Sequence, residues 1–162
     1  MQLFLWVAAI VLVLGGVLYG LWRNHSMISA CTTENLKLTA GQQNGAAGTI
    51  YQHVALTNTG KKSCTMAGYP TAFLYGSDGH ALGNSAAAQP QPAPSVITLA
   101  SGETAHTVLG YPQAGNFPPG ICTTAKSTTL NLYPPSNTAA LTTPLEIAWC
   151  PGFSETAMQA GN

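Results

Sequence analysis

Charged side chains are scarce in this sequence, and their scarcity excludes whole classes of partner. Lysine and arginine together number 5, aspartate and glutamate also number 5, and charged residues make up 6% of the 162 residues, against about 25% in an average soluble domain. A nucleic-acid interface needs clustered lysine and arginine to neutralise phosphates, so we expect no nucleic-acid partner. Disorder is not expected either, because 46% of the residues are hydrophobic and disordered chains combine low hydrophobicity with high charge.

Motifs for catalysis and cofactor binding are also missing. The sequence has no Gly-x-Ser-x-Gly nucleophile motif, no glycine-rich loop leading into a helix and no Cys-x-x-Cys pair. Asp78 belongs to a predicted turn. The other carboxylates after the N-terminal region are expected in turns or on solvated faces: Glu34, Glu103, Glu146 and Glu155. We therefore expect no enzyme, no catalytic residue, no cofactor and no resident metal.

A single long hydrophobic run stands near the N-terminus. Residues 2–22 contain no charged side chain and would form a helix about 31 Å long, which matches a bilayer hydrocarbon core of about 30 Å. Tyr19 and Trp22 close the run, where amphipathic rings favour the headgroup region. The run predicts one transmembrane helix over residues 1–23, a short linker over residues 24–30, and the lipid bilayer as a partner through residues 2–22.

Two other interpretations of this run stay open. A cleaved secretory signal has an apolar region of about 7–15 residues, shorter than the run seen here. A lipoprotein signal is the stronger alternative, since Ile28-Ser29-Ala30-Cys31 fits a lipobox with Cys31 as the lipid acceptor. Eight mostly polar or flexible residues, 23–30, separate Cys31 from the apolar run, whereas a lipobox normally follows the run directly. We therefore rank the uncleaved anchor first and the lipoprotein second.

Four cysteines follow the predicted anchor: Cys31, Cys64, Cys122 and Cys150. Their spacings match no zinc-binding pattern, and an even number in an exported domain indicates two disulfides with three possible connectivities. We prefer Cys31–Cys64 and Cys122–Cys150. The second pair would close a hairpin of strands 127–133 and 145–149, because both cysteines are equally far from the turn at residues 134–137.

Two rules predict opposite orientations of the anchor. Arg23 is the one basic side chain flanking the run, and the positive-inside rule would place it in the cytoplasm. Disulfides persist in oxidising compartments, which places the domain outside the cell. We follow the cysteines, since long domains are translocated largely regardless of flanking charge, and predict a single-pass membrane protein with an extracytoplasmic C-terminal domain.

The region after Cys31 has the pattern of an all-β domain. Short segments of alternating or β-branched residues are separated by turn signals about every ten residues, and no helical periodicity is present. We expect 7–8 short antiparallel strands in a β-sandwich over residues 31–150. Residues 151–162 are predicted to be a flexible tail.

Several strings in this region resemble one family in order and spacing: residues 45–60 (GAAGTIYQHVALTNTG), Cys64-Thr65-Met66, Gly68-Tyr69-Pro70, Asp78-Gly79 and Leu132-Tyr133-Pro134-Pro135. This combination is similar to the domain of unknown function 4232 family, whose members are exported proteins and lipoproteins, mostly of high-GC Gram-positive bacteria. The resemblance covers residues 31–150. It implies an immunoglobulin-like β-sandwich with two disulfides, and no assigned activity.

The remaining candidates concern binding. Tyr111 and Phe117 stand in the Pro/Gly-rich segment 111–120, where rigid aromatic rings could contact a partner. We expect a non-enzymatic binding module of the cell envelope whose partner is an envelope polysaccharide or a surface protein. The alternative is an extracytoplasmic Cu or Zn domain that uses His53 and His106, with Met66 as a further ligand. His80 follows a turn and is expected to be a surface residue.

Overall fold

The computed structural model describes residues 28–161, and this part of the chain is all β, as predicted. Its strands, in chain order, are β1 (Leu36–Ala46), β2 (Thr49–Asn58), β3 (Cys64–Met66), β4 (Thr71–Tyr75), β5 (Ala87–Ala88), β6 (Ile97–Leu99), β7 (Thr104–Pro112), β8 (Thr129–Tyr133), β9 (Leu141–Pro144), β10 (Ser154–Glu155) and β11 (Gln159–Ala160). Short 3-10 turns cover Thr33–Asn35 and Ala114–Asn116. The strands outnumber the predicted 7–8 because three of them, β5, β10 and β11, are only two residues long.

The predicted transmembrane anchor lies outside the described residues, as does most of the linker. Within residues 28–161, no helix is both long enough and apolar enough to cross a bilayer.

The strands form three sheets around one core. The largest has the order β1-β2-β7-β10-β5, with β11 also pairing with β7; the others are β4-β8-β9 and β3-β6. Every pairing between these strands is antiparallel except that of β5 with β10, which is parallel. The two strands most clearly marked by alternation, β2 and β7, are paired along nine consecutive positions and form the centre of the largest sheet.

Alternating apolar residues decide which face of each sheet is buried. Leu56 in β2 and Leu109 in β7 are fully buried, and so are Leu74 in β4 and Leu130 in β8 on the second sheet. All four belong to one hydrophobic cluster. Burying a leucine side chain contributes about 1.5–3 kcal/mol, so the period-two pattern sets both the register and the stability of the sheets.

Strand β1, with 11 residues, is longer than the short strands that the sequence predicts. It continues through an irregularity between Ala40 and Gln43 and pairs with β2 as far as Ala46 and Thr49. Ala47 and Gly48 then turn the chain with φ of 48° and 79°, the left-handed backbone that a two-residue hairpin turn requires. Gly48 adopts this conformation at little cost because it has no Cβ. The β1–β2 hairpin therefore projects as a polar tip at one end of the sheet.

Both predicted disulfides are present. Cys31 is bonded to Cys64 with a Cα–Cα distance of 4.8 Å, and Cys122 is bonded to Cys150 at 4.4 Å. The first ties the incoming chain to β3, where Ala30 also forms a parallel bridge with Thr65. Closing loops of 33 and 28 residues stabilises the fold by about 3–4 kcal/mol each in the chain-entropy model.

The predicted strand over residues 145–149 is wrong as a regular strand. The partner of β8 is β9 at Leu141–Pro144, and the chain beyond it makes only an isolated bridge between Lys126 and Ala148. A serine side chain interrupts the ladder: the Ile147 N–H donates to Ser127 Oγ at 3.0 Å, while the Ser127 N–H donates to the Ile147 carbonyl at 2.8 Å. The hairpin geometry that pairs Cys122 with Cys150 nonetheless holds.

The C-terminal segment is folded, which corrects the predicted tail over residues 151–162. Gly152, with φ of 97°, turns the chain back, and β10 and β11 pair with the free edge of β7. Phe153 and Met158 are buried at 3% and 0% exposure. The domain predicted for residues 31–150 therefore continues to the last described residue, because the apolar side chains after Cys150 complete the core.

Replacing Met158 by alanine tests this correction. Because the side chain is fully buried, we expect Met158→Ala to lower the free energy of unfolding by about 2–5 kcal/mol. Pro151→Ala, at an exposed position of the same segment, should change it by less than about 0.5 kcal/mol. Urea unfolding of both variants measures the free energy of unfolding. If Met158→Ala were as stable as wild type, residues 151–162 would be a flexible tail as first predicted.

Candidate functional site

The outer face of the largest sheet carries the histidines named as candidate ligands. Gln52 and Val54 of β2 are buried, so the side chains between and beside them, Tyr51, His53 and Ala55, point away from the core. On β7, His106 alternates outward in the same way. Two strands that alternate independently thus present their polar rings to the same side.

The pairing of β2 with β7 makes His53 and His106 diagonal neighbours. His53 is opposite Val108 and Ala55 is opposite His106, which places the two rings on one face at a distance that side chains can bridge. Their centroids are 6.4 Å apart and their planes are inclined by 39°. Sequence analysis named both residues, and the strand register explains why they meet.

An open depression of about 570 Å³ lies over this pair. Its lining includes Thr39 of β1, Gly41, and Gly161 at the end of the described chain. These small residues leave the histidine rings accessible from solvent, and His53 is exposed while His106 is half-buried. We call this region, from Thr39 across His53 to His106, the histidine face.

Met66 and His80 do not belong to the histidine face. Met66 is opposite Ile97 in the small β3-β6 sheet and is 6% exposed, so its thioether is part of the core rather than a ligand. His80 stands in an exposed turn, where its backbone N–H donates to Asp78 Oδ1 at 3.0 Å. Among residues 28–161, no group of three or more His, Cys, Asp or Glu side chains is arranged to hold a metal ion.

The two aromatic residues proposed for partner contact have different surroundings. Tyr111 is in β7 and 4% exposed, and burial raises the pKa of its hydroxyl. The loop therefore begins at Gln113, and the ring of Tyr111 packs into the core instead of facing a partner. Phe117 is half-buried and follows the 3-10 turn Ala114–Asn116. The Pro/Gly-rich composition of residues 111–120 predicted a loop from Tyr111 onwards, whereas β7 continues to Pro112.

The loop that carries Phe117 is attached to the β1–β2 hairpin. Asn116 Nδ2 donates to the Gly48 carbonyl at 2.8 Å, and the Gln113 N–H donates to the same carbonyl at 2.9 Å. The exposed ring of Tyr51, opposite Asn44 in the hairpin, lies on the same end of the sheet. We call residues 42–51 together with 113–117 the hairpin tip.

The hairpin tip is rich in amide side chains. Its exposed amides are Gln42, Gln43, Asn44, Gln113 and Asn116. It contains no charged residue. The surface therefore combines amide donors and acceptors with the rings of Tyr51 and Phe117.

Most carboxylates occupy the turns or exposed positions that sequence analysis predicted. Asp78 accepts from His80 within its turn, and Glu103 Oε2 accepts from the Ala100 N–H at 2.8 Å. Glu146 forms an exposed ion pair with Lys126 at 2.7 Å, and this pairing lowers the pKa of the glutamate and raises that of the lysine.

Glu155 is the exception, and sequence analysis missed it. It is 3% exposed in β10, and its Oε2 accepts a hydrogen bond from the Ala72 N–H at 3.1 Å. Burial raises the pKa of this carboxyl to about 8, although the hydrogen bond from Ala72 opposes the rise. The sequence signal was the apolar pair Phe153 and Met158 on either side of Glu155. Apolar residues at these positions indicate a buried segment, because a flexible tail does not need them.

In residues 28–161 these features define an all-β domain with two disulfides, exposed polar surfaces and a buried carboxyl at Glu155. A family model for a domain of unknown function (DUF4232) matches residues 31–161, so the chain belongs to this family. No curated protein and no solved structure matches the chain.

The buried carboxyl predicts a specific pH dependence of stability. The folded state holds the Glu155 proton up to about pH 8, whereas an unfolded glutamate loses it near pH 4.3, so the free energy of unfolding falls by up to about 1.4 kcal/mol per pH unit between these values. Glu155→Gln removes this slope and keeps an acceptor for the Ala72 N–H. We expect the variant to be more stable than wild type at pH 8 and to differ little from it at pH 5.

Urea unfolding at several pH values measures the effect. Glu34→Gln, at an exposed position, is the matched control and should keep the wild-type slope. Parallel pH profiles of Glu155→Gln and wild type would contradict a buried, protonated Glu155.

Proposed function

We propose that this protein is a membrane-tethered, non-enzymatic binding module of the cell envelope, with an immunoglobulin-like β-sandwich on the outer side of the cytoplasmic membrane. The observation that carries the proposal is the hairpin tip: an uncharged surface of amides and aromatic rings at the end of the domain opposite the predicted tether. A neutral envelope polysaccharide fits this surface best.

The disulfides support an extracytoplasmic position. Both cysteine pairs are bonded, and such bonds persist where the surroundings are oxidising. The Cys31–Cys64 bond also favours the transmembrane anchor over the lipoprotein alternative, because the Cys31 sulfur cannot hold a disulfide and a lipid thioether together. Residues 2–22 would then connect the domain to the bilayer through a short linker.

The sandwich assignment rests on the shared core. Inward-facing residues of the largest sheet, such as Leu56, and of the β4-β8-β9 sheet, such as Leu130, belong to the same cluster. Aligned antiparallel sheets around one core are typical of immunoglobulin-like domains.

The path of the chain places the hairpin tip at the end of the domain far from its N-terminus. The described chain begins beside β3, where the Thr65 N–H donates to the Ser29 carbonyl at 2.9 Å. That end of the domain also contains the start of β1 and the end of β2, because Leu36 pairs with Asn58. The tip lies at the other end of β1, about 30 Å away at 3.3 Å per residue, so a domain tethered at its N-terminus would present the tip to the envelope.

The chemistry of the tip suits a neutral glycan. Amide side chains both donate and accept hydrogen bonds, as sugar hydroxyls do, and exposed rings such as that of Tyr51 can cover the apolar face of a sugar. A charged polymer would find no complementary charge, since the hairpin tip has none. A shallow depression of about 250 Å³ begins at Gln43, Ile50 and Gln113 of the tip and extends beyond it to Glu146, whose charge is paired with Lys126.

Substitution of the two tip aromatics tests the proposal. We expect Tyr51→Ala and Phe117→Ala each to weaken binding of the full-length protein to purified envelope polysaccharide by about tenfold, the effect of losing roughly 1.4 kcal/mol. Co-sedimentation of the protein with the insoluble polymer measures the affinity. Val96→Ala is the matched control, since Val96 is an exposed apolar residue outside the tip with 76% exposure.

Two outcomes would contradict the glycan assignment. One is polymer binding that neither tip substitution changes. The other is no polymer binding together with Phe117-dependent crosslinking to a single surface protein, which would assign the tip to a protein partner instead.

A further inference from the structure

We propose that His53 and His106, which the β2–β7 register places together on the histidine face, form a surface site for a divalent transition-metal ion, with Cu²⁺ as the preferred ion. This site is separate from the hairpin tip, and it goes beyond the proposed glycan binding without depending on it.

The spacing of the two rings fits one shared ion. Metal–nitrogen bonds of about 2.0–2.1 Å to two imidazoles place the ring centroids roughly 4.5 Å apart at a right angle at the metal and roughly 6.4 Å apart at a linear one. The observed separation of 6.4 Å is at the upper end of this range. Small side-chain rotations would close the angle while the strands that hold the rings stay in place.

The ring nitrogens are available for coordination. Neither the His53 ring nor the His106 ring makes a hydrogen bond to another described residue, and the salt bridge found within residues 28–161 is formed by Lys126 and Glu146. A metal therefore displaces only water from the imidazoles. This differs from a core histidine, whose nitrogens are normally satisfied by neighbouring groups.

The donor set selects the ion. All four cysteines are in disulfides, so no thiolate competes for a softer metal, and no carboxylate lines the depression over the pair. Imidazole nitrogen suits copper, nickel and zinc, and among these Cu²⁺ binds a given nitrogen site most tightly. Water would fill the other coordination positions, because the depression over the pair is open to solvent.

Calorimetric titration of the full-length, oxidised protein in detergent micelles with Cu²⁺ tests the site. We expect one ion per chain with an affinity in the micromolar range, and nitrogen splitting from two equivalent imidazoles in the electron paramagnetic resonance spectrum. His53→Ala and His106→Ala should each weaken binding by at least about tenfold. Bound Cu²⁺ should also raise the urea midpoint of wild type but not that of either variant.

The chain provides a matched control, because it contains four histidines in all. The His25→Ala/His80→Ala variant removes the other two and should bind Cu²⁺ as wild type does. Unchanged urea midpoints without metal would show that the alanine variants fold normally. Wild-type affinity in His53→Ala or His106→Ala, loss of binding in the control variant, or no stoichiometric binding by wild type would each overturn the proposal.

Discussion

Two disulfide bonds fix the parts of this domain where the strands are short and form few hydrogen bonds. The Cys31–Cys64 bond fixes the incoming chain against β3, which has only three residues. The Cys122–Cys150 bond closes the hairpin whose second strand, β9, ends at Pro144. Because the second bond fixes Cys150, the following residues can return to the edge of β7 and complete the core.

The C-terminal return creates the chemistry that is least expected in this chain. Pairing of β10 with β7 brings Glu155 into the interior, where it meets the Ala72 N–H of the second sheet. A protonated carboxyl there is compatible with burial, whereas its ionised form would be a buried charge without a cationic partner. Pairing of the last strands with β7 is therefore most stable when the Glu155 carboxyl is protonated.

Much of the fold was predictable because strong alternation and paired cysteines act locally. Both preferred disulfides are present, and one of them, Cys122–Cys150, was derived from its position around the turn at residues 134–137. The exceptions required tertiary information. Ser127 interrupts a ladder through its own hydroxyl, a competition that the alternation at residues 145–149 does not reveal.

The candidate site was predictable in part for the same reason. His53 and His106 were named together as candidate ligands, but the distance between them depends on the β2–β7 register, which no local pattern specifies. Tyr111 was predicted to lie in the Pro/Gly-rich loop, whereas β7 continues through it to Pro112. Burial of Glu155 depends on a return of the chain that composition alone does not predict.

The disulfides and the extracytoplasmic position both require that the four cysteines of this domain are oxidised where the protein resides. The most direct measurement is to quench intact cells with acid, alkylate the denatured protein without a reductant, and count the alkylated cysteines by mass spectrometry. The account predicts that none of Cys31, Cys64, Cys122 and Cys150 is alkylated until the disulfides are reduced, after which all four are. Alkylation of all four cysteines in the unreduced chain would contradict the paired cysteines and the extracytoplasmic position together.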